Sequence, residues 1–143
     1  MTATIIQKPD MGKKVTALTN PPTSIFRDIT LNMLSRMRDR IRKGKDHNNR
    51  NFEKYSYLTK TAKLKMGRDS TVNMTDRGTM IRGIESKYTN RYGDIFLGAE
   101  KDIGYRHQRG VGVPRREWFG YTKDNAEKAR EEYGKYVRKA LKK

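Results

Sequence analysis

Residues 106–120 read RHQRGVGVPRREWFG, and they hold the only tryptophan and one of only two histidines in the chain. Gly110 and Gly112 favour a turn, and Pro114 then stiffens an extended exit and restricts the backbone of Val113. The stretch lacks the glycine-lysine-serine/threonine ending of a phosphate-binding loop, and no helix follows it directly. We therefore predict a turn that redirects the chain rather than a phosphate cradle.

The composition predicts one domain with a modest core and a polyanionic partner. The chain has 143 residues, of which 34% are hydrophobic and 34% are charged. Its 33 lysines and arginines against 16 acidic residues give a net charge of +17. Such an excess favours binding to nucleic acid, an acidic protein surface or an anionic membrane. The absence of cysteine excludes disulfides, thiolate zinc sites and cysteine nucleophiles.

Residues 1–22 are predicted to be an N-terminal arm or tail outside a single domain that spans 23–143. They show no sustained hydrophobic period and end on Pro21 and Pro22. A disordered tail and an arm that orders on a partner are equally compatible with this pattern. The chain start lacks the apolar run of a signal peptide, and no stretch approaches a membrane span. We therefore expect a soluble intracellular product with no membrane contact.

An amphipathic helix is predicted directly after the two prolines. Thr23 or Ser24 can cap it, Asp28 complements the helix dipole in the first turn, and Gly44 can end it. Arginines and a lysine crowd its last turns, at Arg36, Arg38, Arg40, Arg42 and Lys43. An apolar stripe recurs every four residues, at Ile25, Ile29, Met33, Met37 and Ile41, with Phe26 and Leu34 widening it. We expect this stripe to face the core.

Residues 45–73 are predicted to form a protruding basic loop. The segment is too long for an ordinary connection, so it is a functional loop, a hairpin or a partner-binding segment. Tyr55, Tyr57 and Leu58 have strand character, whereas the sequence LTKTAKLKMG at 58–67 can form one or two helical turns. Interleaved aromatic and basic residues resemble a nucleic-acid patch, but a solvated, partner-dependent loop is the more common explanation.

The second half of the chain predicts a short helix, a β-hairpin and a final helix. The short helix covers 75–84, with Thr75 or Asp76 as its cap and Met80, Ile81 and Ile84 facing inward. Two β-like segments, 85–90 and 92–99, are joined by a tight turn near 90–91. Thr122 caps the final helix, Asp124 lies in its first turn, and its apolar face consists of Ala126, Ala129, Tyr133, Val137 and Leu141. We predict an α+β domain in which a small antiparallel β-sheet packs against long N- and C-terminal helices.

Few residues in this chain point to catalysis. His47 and His107 are far apart in sequence, and a lone histidine beside glutamine and arginine is more often a structural hydrogen-bonding group. The best nuclease-like pattern is Asp76 with Glu85 and Lys87, in which two carboxylates hold a metal and the lysine orients water. That spacing arises easily by chance in so charged a chain. We therefore expect no enzyme and predict no catalytic, cofactor-binding or metal-binding residue, with a metal nuclease as the enzymatic alternative.

The order of these motifs resembles the phage virion morphogenesis (tail completion) family, whose members are similar to tail terminators or head-tail joining proteins. The resemblance covers about residues 23–143, and only its last third is motif-specific. The opening of the family's middle helix is matched loosely by Met74, Thr75, Asp76, Arg77, Gly78 and Met80. Its later motifs are matched by Tyr105, His107, Gln108 and Gly110, by Pro114, Arg116, Trp118, Phe119 and Gly120, and by Thr122 and Asp124. The N-terminal arm, the high charge, and a Trp-Phe pair in place of Phe-Leu are departures.

The resemblance implies a ring-forming structural protein of the virion tail or neck, assembled in the host cytoplasm. Such a protein is a tail terminator that caps the tail tube and joins it to the head, and a head-closure stopper is the alternative at the same junction. The implied partners are other copies of the chain in a hexameric ring, the tail tube and sheath, connector, adaptor or stopper proteins, and genomic DNA passing through the ring. The charge keeps a ribosomal or other nucleic-acid-binding protein as the alternative class.

The resemblance also assigns a role to the opening stretch. It implies that Trp118 and Phe119 bury apolar area where the chain passes from the hairpin to the last helix, while Arg115 and Arg116 pair with carboxylates of a neighbouring subunit. Adjacent side chains in an extended segment point to opposite sides, so only one of the two rings is expected to face the core. The assembly candidates are Tyr105, His107, Gln108, Arg115, Arg116, Trp118 and Phe119.

Overall fold

Two long helices and a β-hairpin form the framework of the protein. The structure is a computed structural model and describes residues 11–72, 78–98 and 101–142. In chain order its elements are α1 (Met11–Thr19), α2 (Thr23–Arg42), α3 (Tyr57–Lys65), α4 (Thr79–Arg82), β1 (Ile84–Tyr88), β2 (Gly93–Leu97), α5 (Lys101–Arg109) and α6 (Lys123–Lys142). This combination of helices with a small antiparallel sheet confirms the predicted α+β class.

Helix α2 is the central element, and the middle of its apolar stripe faces the core as predicted. Leu34, Met37 and Ile41 are buried. The helix ends at Arg42, and Gly44 follows with a positive φ of 71°, a conformation that favours glycine beyond a helix end. Because α2 contacts both the hairpin and α6, its stripe joins the two halves of the molecule.

The start of α2 differs from the prediction. Pro22 occupies the N-cap position, and no side chain caps the helix. Thr23 and Ser24 already lie inside the first turn, so neither can act as the cap. Asp28 lies beyond the first turn, where it pairs with Arg27 at 2.9 Å instead of complementing the helix end.

The β-hairpin confirms the predicted antiparallel pairing. Ile84 on β1 lies opposite Leu97 on β2, and the N–H of Thr89 donates to the carbonyl of Tyr92 across the tight turn at 2.8 Å. Ile84 and Ile95 are buried, and both strands contact α2. One face of the hairpin therefore packs on α2 and contributes to the core.

Helix α6 packs along α2 and begins as predicted. The hydroxyl of Thr122 accepts a hydrogen bond from the N–H of Asn125 at 3.1 Å, and Asp124 lies in the first turn. The rings of Tyr133 and Phe26 on α2 lie 5.9 Å apart. Leu141, at the far end of the predicted apolar face, is exposed, and its carbonyl accepts from Nζ of Lys14 on α1.

The N-terminal segment forms a helix that the hydrophobic pattern did not predict. The hydroxyl of Tyr136 on α6 donates to the carbonyl of Ala17 at 2.6 Å, and Lys14 Nζ donates to the carbonyl of Leu141 at 2.6 Å. Residues 11–19 therefore order on the last helix of the same chain, and residues 1–10 lie outside the described residues. The pattern was weak because α1 has no buried residue.

The predicted basic loop of residues 45–73 contains a bridged turn and a helix. Lys45 and Asn51 form an isolated antiparallel bridge, and Phe52 beside it is buried. Helix α3 follows, and the hydroxyl of its cap, Ser56, accepts from the N–H of Thr59 at 3.3 Å. The helical alternative for this stretch is therefore the one that forms, instead of a strand.

The short helix predicted over 75–84 is shorter in the structure. Helix α4 covers Thr79–Arg82, and β1 begins directly afterwards with Ile84. Ile81 and Ile84 are buried as predicted. The predicted caps, Thr75 and Asp76, lie outside the described residues.

The core collects side chains from α2, α4, both strands of the hairpin and two connecting segments. Among the described residues, its buried hydrophobic members are Leu34, Met37, Ile41, Phe52, Ile81, Ile84, Ile95 and Trp118. A core of this size agrees with the modest hydrophobic content of the chain. Within the ranges that the structure describes, no helix is long and apolar enough to cross a membrane.

Candidate functional site

Trp118 is the anchor of the connection between α5 and α6. Its side chain is completely buried, and the indole N–H donates to the carbonyl of Gly104 at 3.0 Å. A Cβ at position 104 would lie 2.8 Å from the indole Cζ2, so only glycine lets α5 approach the ring this closely. The expectation that Trp118 buries its ring at this junction is confirmed.

Helix α5 was not predicted, and it changes the setting of the opening stretch. Tyr105, His107 and Gln108 lie on α5, and only the residues after Arg109 form the connection. The predicted turn begins there, where Gly110 has a positive φ of 76°. The helix was hard to recognise because its last residues are mostly polar and carry no apolar period.

Gln108 fastens α5 to the other end of the connection. Its side-chain N–H donates to the carbonyl of Phe119 at 3.3 Å, and its side-chain oxygen accepts from the N–H of Phe119 at 3.1 Å. One amide side chain thereby satisfies both backbone groups of one residue, as a paired strand would. Gln108 therefore acts inside the subunit.

An extended segment was predicted to place the rings of Trp118 and Phe119 on opposite sides, and this prediction is wrong. The rings of Trp118 and Phe119 lie 5.7 Å apart in an edge-on arrangement, and Phe119 is partly buried against the same core. The N–H of Trp118 donates to the carbonyl of Arg116 at 2.8 Å, so the backbone turns here instead of extending. The alternation of side chains applies only to an extended chain.

Arg116 is buried, with 3% of its surface exposed, whereas the expected pairing with a carboxylate of a neighbouring subunit requires an exposed side chain. Its Nε and Nη2 donate to the carbonyl of Glu53 at 3.4 and 3.2 Å, and its guanidinium lies 5.2 Å from the ring centre of Tyr55. Its Nη1 lies 3.3 Å from Nδ1 of His107. These groups replace water around the charge, which is the condition for burying an arginine.

His107 fills a structural role. Burial, and secondly the positive charge of Arg116, lower the pKa of His107 below its ordinary value, so the ring stays neutral at neutral pH. A neutral ring can present Nδ1 as an acceptor to Arg116, and the carbonyl of His107 accepts from the N–H of Arg116 at 2.7 Å. The contacts fit the structural role expected for this histidine.

Arg40 connects the same junction to α2. Its Nη2 donates to the carbonyl of Trp118 at 2.6 Å and its Nη1 to that of Gly120 at 2.8 Å. Burial lowers the pKa of Arg40, and the negative charge of Asp46 opposes that shift. Arg40 is one of the basic residues predicted in the last turns of α2, and its place beside Ile41 of the apolar stripe was a signal of its burial.

His47 supports the connection from the turn after α2. Its N–H donates to the carbonyl of Glu117 at 3.0 Å, and its ring Nδ1 lies 3.0 Å from the same oxygen. Its Nε2 lies 3.1 Å from the amide nitrogen of Asn48. A tautomer with the proton on Nδ1 satisfies both contacts, which makes His47 a second structural histidine.

Only two of the predicted assembly residues, Tyr105 and Arg115, are exposed. Tyr105 is 49% exposed and stands 5.8 Å from the guanidinium of Arg109. The side chain of Arg115 is 67% exposed and pairs with Glu117. Among the assembly candidates, these two are therefore the ones available to a partner.

The hairpin contributes a surface that the sequence did not single out for assembly. Tyr88, Tyr92 and Phe96 are exposed by 38%, 44% and 40%. Among the described residues, β1 and β2 pair only with each other, so each strand keeps an outer edge without a neighbouring strand, and on β1 the carbonyl of Ile84 accepts from Nη2 of Arg38 at 2.8 Å. We call these two edges with the three aromatic residues the open hairpin surface.

The described residues hold no cluster that resembles a metal site. No group of three or more histidine or acidic side chains in the described part of the chain could hold a metal ion. Of the nuclease-like pattern, Glu85 and Lys87 lie exposed along β1, and Asp76 lies outside the described residues. No protein-family model, curated protein or solved structure matches this chain.

Proposed function

We propose that the protein is a non-enzymatic structural subunit of a tailed bacteriophage virion that assembles into a ring at the head-tail junction. In this proposal it is the tail terminator, which caps the tail tube and joins it to the head. The open hairpin surface is the observation that carries the proposal. Support also comes from the motif order of the last third of the chain.

The open hairpin surface supports association with further copies of the same chain. Exposed strand edges add strands from a neighbour through backbone hydrogen bonds, and the aromatic side chains supply apolar area for the contact. A head-to-tail contact in which β1 of one copy pairs with β2 of the next leads to a closed ring when the rotation between copies closes. We propose a hexamer, in keeping with the family resemblance.

The internally bonded connection fits the same proposal. His107, Gln108, Arg116 and Trp118 fasten α5 to the connection that leads into α6. Trp118 belongs to the same core cluster as Ile84 and Ile95 of the hairpin, so that in this proposal every copy presents its edges at the same angle. A ring of identical contacts closes only if that angle is constant. In the proposal these residues act on assembly indirectly, by shaping the subunit.

The proposed partners follow from the place in the virion. They are the tail tube and sheath on one side, the connector, adaptor or stopper proteins on the other, and genomic DNA passing through the ring. The protein acts in the tail or neck of the virion after assembly in the host cytoplasm. A head-closure stopper is the alternative role at the same junction.

The test is electron microscopy of the purified protein beside its native mass. We expect a hollow ring for the wild-type chain and monomers for Phe96→Lys, because a charge on the outer face of β2 opposes edge-to-edge pairing. Leu58→Lys is the matched control: this residue is 78% exposed on α3, away from the hairpin, and its variant should still form rings. Unchanged rings in Phe96→Lys rule out the hairpin contact.

A nucleic-acid-binding protein, ribosomal or otherwise, is the second candidate, and the net charge of +17 favours it. Helix α3 adds to this argument, because it exposes Tyr57 and Leu58 beside several lysines. A wild-type chain that stays monomeric and binds RNA tightly selects this candidate and overturns the ring. Cleavage of nucleic acid that disappears in Glu85→Ala selects the metal nuclease instead.

A further inference from the structure

A basic cleft of about 710 Å³ lies between the second half of α2, the turn at 45–49 and the start of α6. Six lysine and arginine side chains line it against two carboxylates. Both carboxylates already have cationic partners: Asp39 pairs with Arg42 at 3.2 Å, and Asp124 with Lys128 at 2.9 Å. The pair of Asp124 and Lys128 neutralises one lining cation, whereas Asp39 pairs with Arg42 outside the lining, so the cleft keeps an excess of positive charge.

Three of the lining lysines supply the free charge. Lys43, Lys45 and Lys123 have no ion-pair partner among the described residues, and they approach the cleft from α2, the turn and α6. Three cations that converge from separate elements on one concave surface repel one another, and a bound anion removes that repulsion. The cleft thus favours an anion over a cation or an apolar ligand.

The start of α6 provides hydrogen-bond donors to the same cleft. Thr122 accepts from the N–H of Asn125, whereas the N–H groups of Lys123 and Asp124 have no acceptor in the described part of the chain. The first N–H groups of a helix point away from its body and carry its positive dipole end. They are suited to bind the oxygens of an anion.

Asn125 adds a side-chain amide to the same cleft. The residue lines the cleft and is only 5% exposed, but its amide is not among the buried side-chain atoms without a partner in the described part of the chain, which belong to Arg36, Arg38 and Arg40. The amide therefore reaches the open space of the cleft. Its NH₂ group can donate to an oxygen of a bound anion beside the free lysines.

We propose that this cleft binds a phosphate of a nucleic-acid backbone, held by the three free lysines, the amide of Asn125 and the first N–H groups of α6. A phosphodiester fits because it has two charged oxygens that accept several hydrogen bonds at once. The net charge of +17 supplies the wider attraction that keeps a polyanion near the cleft. This inference goes beyond the ring proposal and does not depend on it.

The decisive variant is Asn125→Asp, measured by fluorescence anisotropy with a short labelled DNA duplex of mixed sequence. The new carboxylate lies in the first turn of α6, where it suits the helix dipole, so thermal unfolding should show a folded protein. The same carboxylate repels a phosphate, and we expect the affinity for the duplex to fall about tenfold or more. If Asn125 had only a structural role, its variant would not lose affinity for the duplex while it remained folded.

The double variant Lys43→Gln with Lys123→Gln tests the charges. If each lysine contacts a phosphate, the slope of log affinity against log salt should become shallower by about 0.9 per lost contact. Lys135→Gln with Lys139→Gln removes equal charge from α6 outside the cleft, and this control should lose clearly less affinity.

Three outcomes overturn the proposal. The first is an equal loss of affinity for the duplex in the cleft and control double variants, which indicates only a general effect of charge. The second is unchanged duplex binding in folded Asn125→Asp. The third is a loss of affinity for poly-glutamate in the cleft variants that is as large as their loss of affinity for DNA. That result assigns the cleft to an acidic protein partner. Ring formation, followed by native mass in the same samples, shows separately whether the assembly proposal holds.

Discussion

The connection between α5 and α6 and the helix α3 have similar compositions and opposite environments. Both segments combine basic residues with aromatic and aliphatic ones. In the connection, Arg116 and Trp118 are buried, with exposed fractions of 3% and 0%. Helix α3 has no buried residue, and its Leu58 is 78% exposed. Composition alone therefore did not decide which segment joins the core.

The difference comes from hydrogen-bond partners supplied by other elements. Trp118 donates a hydrogen bond to the carbonyl of Gly104, and Arg116 donates to that of Glu53. Arg40 on α2 donates to the carbonyl of Trp118 in the connection. Basic and polar groups can be buried once such partners satisfy them. For α3, the bonds of its cap come from its own first turn. A basic amphipathic segment is thus buried or exposed according to what surrounds it.

The largest expected effect is that of Trp118→Ala. Removing a fully buried indole leaves a cavity and an unpaired carbonyl at Gly104, so the free energy of unfolding should fall by about 3–5 kcal/mol. Chemical denaturation followed by circular dichroism measures it. Phe119→Ala, at a partly buried ring, is the control and should cost less. If Trp118→Ala lowers the free energy of unfolding by less than Phe119→Ala does, the connection does not anchor the core.

The next effect is that of Arg116→Ala. It removes the hydrogen bonds of a buried guanidinium to the carbonyl of Glu53, and hydrogen bonds to charged groups contribute about 1.5–3 kcal/mol. Arg115→Ala, one residue away at an exposed position, should change stability by less than about 0.5 kcal/mol. Equal effects in the two variants contradict the contrast between a buried and an exposed arginine.

His107 predicts a smaller, pH-dependent effect. Its pKa is lowered in the folded state from the ordinary value of 6.5, by burial and then by Arg116, so the unfolded chain binds the proton more readily. Its contribution to stability is complete above pH 6.5 and is lost as the pH falls below that value. Denaturation curves of wild type and His107→Gln between neutral and mildly acidic pH measure it. The variant should lose less stability on acidification, and parallel curves contradict the assignment.

The smallest effect is expected in α3. Leu58→Ser and Leu64→Ser replace side chains that are 78% and 56% exposed, so the free energy of unfolding should change by no more than about 0.5 kcal/mol. Thermal unfolding of both variants, beside Trp118→Ala as the positive control, measures this. A loss comparable with that of Trp118→Ala indicates that α3 contributes to the core after all.

The elements predicted correctly are those whose signals are local. The four-residue stripe around Met37, the β-branched and aromatic run of the hairpin, and the Thr122 cap each depend on neighbouring residues of one element. α1 and α5 were not predicted, because their helices depend on contacts from elsewhere. α1 packs on α6 without burying a residue, and α5 closes on Trp118 through Gly104.

The candidate site divides along the same line. A junction anchored by Trp118 was expected, as was a structural histidine at 107. The burial of Arg116 was not, since its partners Glu53 and Tyr55 come from a segment about sixty residues away, as the separation of 63 to Glu53 shows. The spacing of residues in one sequence does not report a contact between segments that only the tertiary fold brings together.

By itself the sequence determined the α+β class, the two long helices, the hairpin and the strong positive charge, because periodicity, caps and composition are properties of the chain. Only the tertiary structure decided which basic residues enter the core and which surround a cleft. An arginine such as Arg40 can be buried only where carbonyls converge on it, as those of Trp118 and Gly120 do. That convergence depends on the packing of α2 against the connection, which no local pattern encodes.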